Sequence, residues 1–332
     1  MPDLELVSII IPCFNTERWI AEAIDSCLKQ TYSNVEIIII DDGSTDGSLA
    51  VIKRYGDRIT WESGSNRGGN YARNRGFELS KGQFIQYLDA DDYILPEKID
   101  RQVTFMKQTG ANVVYGDWRH KRHFPDGRAV LEDIQVSGIQ ADILESLLAD
   151  WWVSPACLFF KRAIVEKTGG WDEQLKAGQD RDFFISAVMN GANVAYQPGC
   201  YSIYRRYGNV TVSTSSRARS LESHYLIVSR VEQKLRATSQ LTTIYQKALA
   251  QSYFTLARKY IETEPQKYKE LLNKVLSLHP TFRANSKDRT IFYNLVQNIL
   301  GFRRLEQLVV FFKRLKILFS KKRITESVKL KS

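Results

Sequence analysis

The chain of 332 residues is 43% hydrophobic and 25% charged, enough for a sizeable core and too long for one average domain, so a large domain with a smaller companion is expected. Its net charge of +10 is uneven: residues 1–214 hold 23 Lys and Arg against 29 Asp and Glu, residues 215–332 hold 24 against 8. A solvated helical surface or contact with an anionic membrane accounts for that basic second region better than nucleic acid, which is not an expected partner.

Val7 to Ile11 and Val35 to Ile40 are continuous, largely β-branched runs, the pattern of strands buried on both faces of a parallel sheet. Between them, Ile20, Ala23, Ile24, Cys27 and Leu28 fall at helical spacing. The alternation continues with a strand near Ile59 to Trp61, a helix from Tyr71 to Leu79 and a strand at Phe84 to Leu88. A helix from Pro96 to Gln108, with the proline in first position, and a strand at Val113 to Tyr115 complete it. Repeated crossovers predict an α/β fold over residues 1–214, with a mostly parallel central sheet flanked by helices. From residue 217 the periodicity is helical without strands. Leu241 to Ile261 and Tyr268 to Leu278, separated by Pro265, predict a hairpin within a basic, mainly helical region over 215–332.

Cys13, Cys27, Cys157 and Cys200 show no CxxC spacing and suit packing in a reduced cytosol. The N-terminus lacks the basic and apolar segments of an export signal. No apolar run reaches the roughly 18–20 residues of a spanning helix, since Lys313, Arg314 and Lys316 interrupt the best candidate. A cytoplasmic protein, peripheral to the membrane at most, is expected.

Ligands of parallel sheets bind outside the carboxyl ends of strands, where three polar clusters fall: Pro12 to Glu17, Asp41 to Asp46 and Asp89 to Asp92. In Asp89-Ala90-Asp91-Asp92 the crowded carboxylates offer hard oxygen ligands for Mg²⁺ or Mn²⁺, ions that bridge to phosphates. The competing reading is an acidic turn capping the next helix through Asp92. Asp41-Asp42-Gly43-Ser44 can accept hydrogen bonds from a base or ribose, or be an ordinary strand-to-helix loop with Ser44 or Asp46 as cap. Asn66-Arg67-Gly68-Gly69 and Ala72-Arg73-Asn74-Arg75-Gly76 place three guanidinium groups near one helix start, suited to diphosphate or simply to solvent.

Taken together and in this order, Ser8 to Asn15, DDGSTDGS, Asn66 with ARN, YLDADD, Gly169-Gly170-Trp171-Asp172-Glu173 and Gln179-Asp180 resemble the family 2 glycosyltransferases of the GT-A, nucleotide-diphospho-sugar transferase type. The resemblance covers about residues 5–214. It implies a nucleotide-sugar site built from Pro12, Phe14, Asn15, Glu17, Asp41, Asp42, Gly43, Asn66, Arg73, Asp89, Ala90 and Asp91. It further implies a metal at Asp89 and Asp91 and a catalytic base at Asp180, with Asp182 and Asp172 as rivals. Trp151, Trp152 and Gln179 fall where the family places acceptor contacts, the paired tryptophans being equally suited to packing in the core. Tyr204 to Asn209 resembles its YR-x-H loop near the donor phosphates, a lid with Gly208 as hinge.

The usual ED pair reads Gln179-Asp180 here, and the QxxRW element of processive synthases is absent, which implies single transfers. The expected function is inverting transfer of one sugar from a nucleotide-diphosphate donor, UDP-linked by resemblance, to a carbohydrate or lipid-linked saccharide in cell-envelope or exported polysaccharide synthesis. The alternatives are a polyprenyl-phosphate sugar synthase and a non-catalytic nucleotide-sugar-binding module. The apolar, basic stretch from Phe302 to Phe319 either packs on the helical hairpin or lies in an anionic membrane interface.

Overall fold

The computed structural model describes residues 4–149, 151–208, 216–284 and 291–312. The chain divides into two compact units, Met1–Leu147 with Trp151–Ser220, and Leu148–Asp150 with Leu221–Ser332. The division falls a few residues beyond the 214/215 boundary read from composition.

The first part of the chain runs β1 (Val7–Cys13), α1 (Ile20–Leu28), β2 (Val35–Asp41), α2 (Ser48–Lys53), β3 (Thr60–Ser63), α3 (Gly69–Leu79), β4 (Phe84–Tyr87), β5 (Tyr93–Ile94) and α4 (Lys98–Thr109). It continues with β6 (Val113–His123), β7 (Ala129–Gln135), α5 (Ile143–Leu148), β8 (Phe159–Lys161), α6 (Arg162–Thr168), α7 (Gln179–Met189) and β9 (Val194–Arg206). The sheet order is β3-β2-β1-β4-β8-β6-β9-β5, with β7 paired to β6. Strands β3, β2, β1 and β4 are parallel, as their unalternating runs imply. Strand β8 enters antiparallel to β4 and β6, and β5 and β7 pair antiparallel, so the whole sheet is mixed. Pro96 stands ahead of α4 rather than inside it, since that helix opens at Lys98.

Ile9, Ile10 and Ile11 are fully buried, each worth roughly 1.5–3 kcal/mol of apolar burial. Ile9 and Ile11 join a core containing Ile20, Ile24, Ile99 and Val103 from α1 and α4. Ile10 faces α3, which approaches so closely at Gly76 that a Cβ there would come within 2.4 Å of Ile10 Cγ2. That close approach seats α3 on β1 and β2, with Ala72 packed against Ile38 and Ile40.

The second unit contains most of α8 (Arg217–Ala237), then α9 (Thr243–Tyr260), α10 (Pro265–Leu278) and α11 (Ile291–Leu300), followed by helical residues 302–312. Pro265 is the first residue of α10, where its missing N–H costs nothing. Two buried carboxylates knit these helices together. Glu232 accepts from Tyr253 at 2.8 Å and pairs with Lys274 at 3.0 Å. Glu306 accepts from Tyr268 at 2.6 Å and Tyr293 at 2.8 Å and pairs with Arg258 at 3.3 Å. Among the described residues no helix is long and apolar enough to cross a membrane. The four cysteines are free thiols, and burial pushes Cys27 and Cys157 up to about 12, as suits packing groups.

Candidate active site

Because β2, β1 and β4 are neighbours and parallel, the loops after their carboxyl ends meet. The first two are stitched together. Asn15, in left-handed backbone at φ 51°, accepts from the Thr45 N–H at 2.8 Å, and its own N–H donates to Ser44 Oγ at 3.0 Å. The Glu17 N–H donates to Asp46 at 3.0 Å, and the Glu17 carboxylate accepts from the Gly47 N–H at 3.0 Å. Asn15 and Glu17 thus shape the loop, while Phe14 stands 47% exposed and Pro12 is half-buried in β1.

Asp41 and Asp42 are buried at the end of β2. Asp41 accepts from Ser63 Oγ at 2.7 Å and from the Ser44 N–H at 3.3 Å. Asp42 accepts from the N–H groups of Arg67 at 2.7 Å and Gly68 at 2.8 Å, fastening the exposed loop that carries Asn66. Gly43, at φ 75°, allows this approach, since a Cβ there would lie 2.7 Å from Asn66 N. A shallow cleft of about 150 Å³ opens here between Asp41, Asp42, Glu62, Ser65, Arg67 and Tyr71. Its polar lining suits a base or ribose.

After β4, the Arg73 guanidinium pairs with Asp89 at 2.6 Å and lies 4.7 Å over the Trp171 ring. Ala90 turns its methyl into the core, so only its backbone is available to a ligand. The Asp91 carboxylate accepts from the Tyr207 hydroxyl at 2.8 Å. Burial first, then the Asp89 carboxylate, pushes Asp91 above the ordinary carboxylate range. Asp92 is pushed well up by burial and then by Asp91 and Asp89. It does not cap α4: one oxygen accepts from the Arg205 N–H at 2.7 Å, and the other is buried with no partner among the described residues.

The GGWDE segment is bound to α3. Asn74 accepts from the Trp171 N–H at 2.8 Å and donates to the Trp171 carbonyl at 2.9 Å, and Asn70 donates to the Asp172 carbonyl at 2.6 Å. Trp171 stacks on Phe183 of α7 at 4.2 Å, so the start of α7 is registered against the same frame. There Gly178 is left-handed, Gln179 opens the helix and Asp180 follows. Asp180 accepts from the Trp152 indole N–H at 2.5 Å. Trp151 points elsewhere, edge-on to Tyr115 at 5.2 Å and donating to the Ser137 carbonyl at 3.2 Å.

Tyr204, at the end of β9, links the two acidic groups. Burial raises its hydroxyl well above the ordinary range, and the carboxylates of Asp92, Asp89, Asp91 and Asp180 raise it further. Trp152, which bonds Asp180, packs edge-on to the Tyr204 ring at 6.0 Å.

The profile described as Glycosyl transferase family 2 matches residues 8–209. The chain belongs to glycosyltransferase family 2. An uncharacterised glycosyltransferase of Rickettsia typhi is 34% identical over 190 residues, 54% of this chain and 58% of the relative. The poly(ribitol-phosphate) beta-glucosyltransferase of Bacillus spizizenii is 30% identical over 197 residues, 57% of this chain and 30% of the relative. The UDP-Glc:alpha-D-GlcNAc-diphosphoundecaprenol beta-1,3-glucosyltransferase WfaP of Escherichia coli is 37% identical over 123 residues, 36% of this chain and 49% of the relative. The transferase spans about half the length of the curated relatives it matches. Staphylococcus aureus TarS 1–349, solved with UDP-GlcNAc, shares the fold at a TM-score of 0.61 and 19% identity, covering 82% of this chain and 80% of that one.

Among the described residues no cluster of three or more metal-ligating side chains occurs. Asp89 and Asp91 could still hold a hard cation whose shell is completed by phosphate oxygens and water, a common arrangement for Mg²⁺. Burial and the neighbouring Asp89 carboxylate raise the proton affinity of Asp91, and a bound cation would offset both. The resemblance implies a lid loop over Tyr204 to Asn209. The chain there is strand through Arg206, with the Arg205 side chain fully buried, and residues 209–215 lie outside those described.

Proposed function

We propose that the transferase moves one sugar from a UDP-sugar onto a carbohydrate or lipid-linked saccharide, with inversion, in cell-envelope or exported polysaccharide synthesis. The observation that carries this reading is the frame that joins the acids: Arg73 pairs with Asp89 and lies over Trp171, Trp171 stacks on Phe183 of the helix that bears Asp180, and Trp152 bonds Asp180 and packs on the Tyr204 ring. That frame ties an acidic donor site to a candidate base. Two relatives named as glucosyltransferases, one using UDP-Glc and a diphosphoundecaprenol-linked acceptor, and a fold neighbour that binds UDP-GlcNAc support the choice of donor and acceptor class.

Held by Asp89 and Asp91, Mg²⁺ or Mn²⁺ would supply positive charge to the leaving diphosphate. Arg73, fixed between Asp89 and Trp171, adds a guanidinium beside that charge. The cleft at Asp41 takes the base and ribose. Asp180 accepts the proton of the acceptor hydroxyl as its oxygen bonds to the anomeric carbon and the bond to the diphosphate breaks. Attack opposite the leaving group inverts the centre.

A panel of nucleotide sugars, read as released nucleotide diphosphate with Mg²⁺, Mn²⁺ or EDTA, tests this. Turnover of a UDP-sugar that falls at least about 100-fold in EDTA is expected. Turnover indifferent to EDTA rejects the metal. No turnover of any donor favours a non-catalytic binding module, and transfer to polyprenyl phosphate alone favours the synthase alternative.

The second unit supports a membrane contact. Phe302 and Leu305 are buried, whereas Phe311 is 55% and Phe312 63% exposed, and on α11 Leu295 and Ile299 are exposed too. Apolar side chains amid a basic excess fit the interface of an anionic bilayer. Residues 313–319 of the stretch singled out in the sequence lie outside those described. Flotation with phosphatidylglycerol vesicles is expected, and changing Phe311 and Phe312 to Ser should weaken it at least about tenfold. Unchanged flotation removes these side chains from the contact.

A further inference from the structure

We infer that Trp152 is a positioning residue for Asp180, its indole N–H fixing one carboxylate oxygen and leaving the other to take the acceptor proton. The inference rests on Asp180 being the base and explains how that side chain is held in one orientation. The indole N–H lies 2.5 Å from Asp180 Oδ2. Trp152 is 37% exposed, so water could serve its N–H equally well, and burial alone does not force the bond. The ring is mounted on an aromatic wall, edge-on to Trp118 at 5.1 Å and 86° and to Tyr204 at 6.0 Å and 86°. Trp118 is itself 7% exposed and edge-on to His120 at 4.6 Å.

On the other side, Asp180 is the second residue of α7, just after the left-handed Gly178. Among the described residues its carboxylate has no hydrogen-bond partner besides this indole. Without it the carboxylate is free about two side-chain torsions. With it, one oxygen is pinned to a rigid wall and the lone pairs of the other take a fixed direction. Misplacing a reacting group by about 1 Å costs on the order of 10²-fold in rate, which sets the scale of the effect.

The test compares Trp152→Phe, which keeps an aromatic ring and loses the donor, with a benzothienylalanine replacement at the same position, which keeps the bicyclic shape and has no N–H. Turnover is read as UDP released from the panel of UDP-sugars, and UDP binding is measured by calorimetry to report an intact donor site. Both variants are expected to lose roughly 10–100-fold in kcat, with UDP affinity and the acceptor KM unchanged. Retention of kcat within about twofold in the benzothienylalanine protein, while Asp180→Asn is inactive, overturns the inference and leaves the base assignment standing. A raised acceptor KM with kcat kept also overturns it, by making the ring an acceptor contact. If Asp180→Asn itself turns over, the base assignment falls, and the role of Trp152 falls with it.

Discussion

Asp180→Asn is expected to lower transfer by about 10³-fold, within the range that general-base catalysis contributes, while UDP binds as in the parent. The amide keeps the shape of the carboxylate, and its oxygen still accepts from the Trp152 N–H, so the start of α7 and the aromatic wall stay in place. What it loses is the ability to take a proton. The donor side is built from other elements: Asp41 and Asp42 at the end of β2, and Asp89 beside Arg73 after β4. A fall in kcat with no change in UDP affinity, measured by calorimetry, separates the two roles. Activity within about tenfold of the parent would move the base to one of its rivals, Asp172 or Asp182. The same substitution repeated at those positions would then identify which.

Strands β1 and β2 were legible because both of their faces are buried, which leaves continuous apolar runs instead of alternation. Other parts of the sheet carry no such signal. Strands β5 and β8 have two and three residues, too few for any period to register. Strand β9 contains Pro198-Gly199, which reads as a turn. The sheet absorbs the pair at a register shift opposite Asp117, whose carboxylate accepts the Gly199 N–H at 3.1 Å. At the site, residue types and order single out these loops, but not what each side chain touches there. Asn15 and Glu17 hold one loop to another, and Asp42 fastens the Asn66 loop, roles set by hydrogen bonds across about thirty residues. The bond from Tyr207 to Asp91 and the burial of Arg205 join parts of the chain more than a hundred residues apart. No local pattern encodes such partners. The separation of Trp151 from Trp152 is similar: adjacent in sequence, they meet different neighbours, Tyr115 and Ser137 for the first and Asp180 and Trp118 for the second.

Arg205→Met is expected to destabilise the first unit by about 3 kcal/mol, the low end of what breaking a buried ion pair costs. The guanidinium is fully buried, 2.5 Å from Glu22. It donates to the Asp91 carbonyl and lies over the rings of Trp19 at 4.3 Å and Tyr93 at 5.3 Å. Methionine fills much of the same space between the rings, so little of the loss comes from a cavity. The main cost is an acidic neighbourhood left without its cation: Glu22, the Asp91 carbonyl and the buried Asp92. Glu22 is 44% exposed and keeps Lys121 at 3.3 Å, which is why the low end applies. Guanidinium unfolding followed by tryptophan fluorescence measures this cleanly, because all six tryptophans lie in the first unit and the helical unit is silent to the probe. Turnover should fall as well, since Arg205 holds the backbone from which Asp91 projects. A midpoint unchanged from the parent would mean that the two rings and Lys121 suffice to hold this corner. The geometry of Asp91 would then have to come from Tyr207 and from the turn that closes with the Asp92 N–H on the Asp89 carbonyl at 3.0 Å.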